Sequence, residues 1–180
     1  MSRYSLSAVG TDQPGIVAAL AAALAAVGGN LEESTMTLLQ NQFAVLLLVA
    51  CPDPMTLADL DAAVSAVADR FDLTVAVRAI PPDSAADDRP AAEVWTVAVS
   101  GADRPGIVAE ITDALAAGGG NIVDLDTHLV GGPTSPVYVM TLRATLPAGG
   151  AGAAAADEVR RAATRLEVHC TVHRDQADLL

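Results

Sequence analysis

Apolar positions fall into two alternating rhythms along the first eighty residues. Over residues 3–9 every second position is apolar, the two-residue period of a strand with one covered face. From Ile16 the interval widens. Ile16, Val17, Leu20, Leu24 and Val27 form one stripe at helical spacing. Pro14 suits the first turn of that helix and Asp12 is placed to cap it. Gly28-Gly29 stops it. Residues 31–39 and 43–51 then read as two strands around a polar turn at Gln40-Asn41-Gln42. A second helix is predicted over 55–71, with Leu57, Leu60, Val64, Val67 and Ala68 as its buried face, and a last strand over 73–80.

The same order recurs. Strands are predicted over 94–99, 122–130, 137–146 and 167–173, and helices over 105–117 and 153–166. With the chain shifted by 91 positions, residues 11–31 fall on 102–122 and 13 of the 21 are identical. Asp12-Gln-Pro-Gly-Ile-Val-Ala18 overlies Asp103-Arg-Pro-Gly-Ile-Val-Ala109, and Gly28-Gly-Asn30 overlies Gly119-Gly-Asn121. Alanine-rich composition accounts for the middle of this match but not for its two ends. The expected architecture is α+β: two tandem ferredoxin-like βαββαβ modules, each an antiparallel four-stranded sheet with two helices on one face. The domains are 1–80 and 93–180. The linker, 81–92, is rich in proline and aspartate.

Composition narrows the function. Hydrophobic residues make up 52% of the chain and aromatic ones 3%, so alanine, valine and leucine must fill the cores. The net charge is −12, with no lysine, and each half is acidic. Nucleic-acid binding and anionic membrane surfaces draw on basic side chains, so neither is an expected partner. No apolar run suits a membrane span, no signal-peptide pattern opens the chain, and Cys51 and Cys170 lack metal-ligand spacing. The expectation is a cytoplasmic protein with reduced thiols and no cofactor.

The two Asp-x-Pro-Gly-Ile loops are the main candidate site. A helix start presents free N–H groups and partial positive charge, which suit a carboxylate. Asp12 or Asp103 could face a ligand ammonium. A purely structural reading is open beside this one: the aspartate as cap, the proline as first-turn residue, the glycine for packing. Asn30 and Asn121, which open the next strand, could brace the loop or serve its turn. His128, His169 and His173 are not at metal spacing, and His169 and His173 share a strand face. Glu32 and Glu33 are strand neighbours that should point to opposite faces. No nucleophile–base pair or phosphate-binding loop is present, so the chain is not expected to be an enzyme.

The element order, the Asp-x-Pro-Gly-Ile-Val loop and the Gly-Gly-Asn-(Leu/Ile) strand entry resemble the ACT domain, over about residues 3–80 and 93–173. Two such domains in tandem resemble the glycine cleavage system transcriptional repressor group. Similar pairs form the tail of PII uridylyltransferases, and a single copy precedes formyltetrahydrofolate deformylases. The resemblance implies amino-acid binding where modules meet, through Asp12, Gly15, Ile16, Asn30 and Leu31, and through Asp103, Gly106, Ile107, Asn121 and Ile122. It implies a homodimer and a protein partner in transcriptional regulation of glycine or one-carbon metabolism. Ligand-independent assembly is the alternative, with a stripe containing Leu38, Val45 and Leu47 covered by another subunit. One departure is the longer connection Gly131-Gly132-Pro133-Thr134-Ser135-Pro136, expected to be an exposed hairpin or else a segment that covers a site or reaches a partner.

Overall fold

A computed structural model describes residues 1–81, 92–132 and 136–175. Most of the linker and the centre of the 131–136 connection lie outside these residues. The chain divides into two compact units, Met1–Asp87 and Asp88–Leu180.

The first unit runs β1 (Ser2–Thr11), α1 (Ile16–Ala26), β2 (Asn30–Leu39), β3 (Gln42–Cys51), α2 (Leu57–Phe71) and β4 (Thr74–Ile80). The second runs β5 (Ala92–Ala102), α3 (Ile107–Ala117), β6 (Asn121–Val130), β7 (Val137–Pro147), α4 (Gly150–Arg165) and β8 (His169–Arg174). The sheets have the orders β2-β3-β1-β4 and β6-β7-β5-β8, and every neighbouring pair is antiparallel. These are the two ferredoxin-like modules that the alternation predicts. The 91-residue offset holds in three dimensions. It maps α1 onto α3 and β2 onto β6, and maps the bulge between Leu31 and Glu33 onto that between Ile122 and Asp124.

Each module closes its own core. In the first, Tyr4, Leu6 and Ala8 of β1 meet Ile16, Leu20 and Leu24 of α1 and Leu60 and Val64 of α2. In the second, Val97 and Val99 meet Ile111 and Leu115 of α3 and Val159, Ala162 and Ala163 of α4. Small residues on α4 let that helix sit close to its sheet. Val17 and Leu57, expected in the buried stripes, are exposed instead, at the margins of their helices.

The helix starts differ in kind. α2 is capped in full: the Asp59 amide donates to the Thr56 hydroxyl (3.2 Å), and the Thr56 amide donates to the Asp59 carboxylate (3.0 Å). The Thr56 hydroxyl and amide hold the Asp59 pKa below its ordinary value, so this contribution is present above the carboxylate range and fades as pH falls through it. Thr56→Ala is expected to cost about 1 kcal/mol, read as a lower urea midpoint of the first module.

α1 and α3 carry no side-chain cap. Asp12 therefore does not cap α1, contrary to the sequence expectation, and Asp103 does not cap α3. The helices begin at Ile16 and Ile107, two residues past the prolines. Gly15 and Gly106 are the cap positions, left-handed at φ 95° and 98°. An ordinary side chain resists that conformation. A methyl group at Gly106 would meet nothing within 4 Å. The glycine is there for its backbone angle and not for packing.

Candidate functional site

The loop after the first strand is held from below. The side-chain amide of Gln13 donates to the carbonyl of Phe71 at the end of α2 (3.2 Å). At the matching position Arg104 meets Glu167 (2.9 Å) and the Leu166 carbonyl (3.4 Å) past α4. The variable residue of Asp-x-Pro-Gly is thus the anchor in both modules. Sequence reasoning passed over it because the two residues differ.

Above the anchor the loop is open. The first helical bond of α1 runs from the Ala19 amide to the Gly15 carbonyl, and that of α3 from the Glu110 amide to the Gly106 carbonyl. Three amides at each helix start therefore have no partner within their helix. Asp12, Gly15, Asp103 and Gly106 are exposed. Among the described residues, no hydrogen bond or ion pair engages either carboxylate. Ile16 and Ile107 are core side chains, 1% and 2% exposed, so each can offer a ligand only its backbone amide.

The asparagines are elsewhere. Thr11, beside the loop, pairs with Gln42, which pairs with Leu39. At the other end Arg3 pairs with Ala50, which pairs with Asn30. The eight-residue separation along β1 is about 27 Å. Asn30 and Leu31 cannot join the Asp12 loop within one module, and Asn121 and Ile122 are displaced from the Asp103 loop in the same way. This corrects the expectation that Asn30 braces the loop. All four are exposed.

What lies beside each loop differs between modules. Gly10 of β1 pairs with Phe43, which pairs with Leu38 of β2. Gly101 pairs with Tyr138, which pairs with Leu129 of β6. Phe43 and Tyr138 are thus equivalent, as are Met36 and Thr127. Phe43 is a core residue. The Tyr138 hydroxyl oxygen is shut off from solvent and has no hydrogen-bond partner among the described residues. Burial raises its pKa, the Thr127 side chain pulls the other way without completing hydrogen-bonding geometry, and the Asp103 carboxylate adds to the rise. The second loop is therefore flanked by hydroxyls where the first is flanked by apolar side chains.

The remaining candidates disperse. The bulge turns Glu32 toward the helix-free face, where it meets Arg3 (2.9 Å), so alternation fails at Glu32-Glu33. Glu32 is engaged structurally. His169 and His173 point away from the helices, and His173 lies 3.8 Å from Asp175. His128 lies 3.6 Å from Asp126 on β6. No three His, Cys, Asp or Glu side chains among the described residues could together hold a metal ion. Cys51 is buried and Cys170 half-buried, and burial raises both thiol pKa values. No helix among the described residues is long and apolar enough to cross a membrane.

A family model described as the ACT domain matches residues 5–78 and 94–135. A solved structure of an unknown protein from Galdieria sulphuraria covers 97% of this chain and 99% of its own, at TM-score 0.82 and 23% identity. A candidate glycine cleavage system transcriptional repressor covers 98% of both chains, at TM-score 0.67 and 18% identity. At these identities the likeness is one of fold. A UPF0237 protein of Methanopyrus kandleri is 39% identical over 49 residues, 27% of this chain. The matched segment spans about half, 54%, of that curated relative.

Proposed function

The chain belongs to the ACT-domain family, and from that premise we propose that it is a non-catalytic regulator that binds a free amino acid at its glycine loops and acts through a protein partner. The observation that carries this is the pair of helix starts without a side-chain cap, each with a left-handed glycine and an aspartate whose carboxylate makes no hydrogen bond or ion pair among the described residues. Unpartnered amides and partial positive charge suit an α-carboxylate, and the aspartate suits an α-ammonium. The likeness to a candidate glycine cleavage repressor favours an intracellular role in transcriptional control, with glycine or one-carbon metabolism as its setting.

The site is completed from outside the module. Asn30 and Asn121 stand at the far ends of their sheets from the loops. An antiparallel neighbour strand reverses direction, so a neighbour's asparagine arrives at the loop end. A ligand there touches two modules and favours the arrangement in which both contribute. That differential affinity is what regulation requires. Ligand-independent assembly would need the same edges and no occupied loop.

Titrating the twenty amino acids against the thermal transition tests the reading. At ten times its Kd, a ligand is expected to stabilise by about 1.4 kcal/mol. Asp12→Ala together with Asp103→Ala is expected to remove that shift, and each substitution to leave ligand-free stability within about 0.5 kcal/mol, because neither carboxylate caps its helix. A shift that survives in the Asp12→Ala, Asp103→Ala double variant would place the ligand elsewhere.

A further inference from the structure

The two loops are copies in backbone and not in surroundings. On β2 the helix-side positions next to the first loop are Leu38 and Met36, 52% and 54% exposed, with Phe43 of β3 opposite Leu38. On β6 the same positions are Leu129 and Thr127, with Tyr138 of β7 opposite Leu129. The helices carry the contrast further. α1 has no polar side chain over Ile16–Ala26, whereas α3 has Glu110, Thr112 and Asp113. The stripe of Leu38, Val45 and Leu47, expected to be covered by another subunit, is not one surface: Val45 and Leu47 are buried in their own core, and only Leu38 is open.

A hydroxyl offers one donor and two acceptor positions. That of Tyr138 is closed off from solvent and has no partner among the described residues. The side chain that acts on it is that of Thr127, which is itself exposed. Thr127 can therefore accept from Tyr138 on its inner side and donate to a ligand on its outer side. A ligand hydroxyl or carboxamide completes this chain of hydrogen bonds. A ligand methyl at the same place leaves the two hydroxyls short of a partner, and a site that strands its own polar groups rejects such a ligand strongly. The first loop has the opposite character. The side chains of Met36, Leu38 and Phe43 offer no hydrogen-bonding atom beyond a weak thioether acceptor. A ligand methyl packs there, and a ligand hydroxyl loses its water without replacement.

We propose that the two loops select different amino acids by their side chains. The first takes an aliphatic one, of the valine and leucine class. The second takes one bearing a hydroxyl or carboxamide, of the threonine and asparagine class, with Thr127 and Tyr138 as the selecting residues. This deepens the reading that the glycine loops bind free amino acids, and it rests on that reading. The repeated elements treat what all amino acids share: free amides for the α-carboxylate and an aspartate for the α-ammonium. Discrimination must then come from the neighbours in which the two copies differ. One chain thus responds to two ligands.

Calorimetric titration of the full chain with the twenty amino acids tests this. Valine and threonine are near in size and differ by a hydroxyl, and leucine and asparagine form a second such pair. Asp12→Ala leaves only the second loop competent, and Asp103→Ala only the first. The Asp12→Ala variant is expected to bind threonine about tenfold more tightly than valine, and the Asp103→Ala variant to reverse that order. Asparagine and leucine are expected to follow the same pattern. In the Asp12→Ala background, Thr127→Met with Tyr138→Phe is expected to give the second loop the preference of the first. Far-UV circular dichroism checks that each variant is folded. Three results would overturn the inference while leaving amino-acid binding in place: the same order of preference in both aspartate variants, binding confined to amino acids outside these two classes, or a preference that survives the Thr127→Met, Tyr138→Phe exchange. Binding of none of the twenty by the wild-type chain would remove the loop reading itself, and this inference with it.

Discussion

Leu24→Ala is expected to lower the unfolding free energy of the first module by about 2–5 kcal/mol while the second keeps its wild-type stability. Leu24 is fully buried and packs within a core made of β1, β3, α1 and α2 residues. No residue of that core belongs to the other one. Modules of some eighty residues are marginal, at about 5–10 kcal/mol, so the loss removes a large part of the first module's margin. The single tryptophan makes the consequence visible. Trp95 packs against the second core. Urea unfolding followed by its fluorescence is expected to be unchanged, while far-UV circular dichroism gains an early transition. If both signals moved down together, the modules would unfold as one unit and the two-core account would fail.

The repeat made the architecture legible because its period is enforced by packing. Ile16, Leu20 and Leu24 recur as Ile107, Ile111 and Leu115 since each set must cover one sheet face. The element boundaries followed to within a few residues. What sequence could not supply was the geometry of the loop. Asp-x-Pro-Gly reads as cap, spacer and first turn, yet the left-handed glycine moves the helix start past it. Propensity ranks residues for a helix position, but it does not say where that position falls. The anchor residues Gln13 and Arg104 were hidden because each bonds to an element some sixty residues on. Asn30 was placed beside Asp12 by its apparent role in the motif. The strand directions separate them, so the two cannot form one site within a module.

The difference between the two loops bears on which one takes the ligand. Tyr138→Phe is expected to stabilise the ligand-free second module by about 1–3 kcal/mol, the cost of a buried hydroxyl left without a partner. Phe43 shows that the fold accommodates the bare ring at the equivalent position. Ordinary tyrosine truncation in a core goes the other way, because it breaks a hydrogen bond. A group of this kind calls for a partner, which ordered water or a ligand can supply. The Tyr138 hydroxyl lies near the Asp103 carboxylate, so under the proposed function it meets a polar group of the bound amino acid. The same substitution is then expected to weaken binding at the second module while raising its melting temperature. Phe43→Tyr, in an apolar setting, should only destabilise. Calorimetric titration of the two variants separates these outcomes. If Tyr138→Phe proves stabilising with unaltered affinity, the hydroxyl is an uncompensated defect and the loops do not differ in ligand chemistry through it. If it is destabilising, the hydroxyl has a partner in solution and the polar character of the second loop must be sought at Thr127 alone.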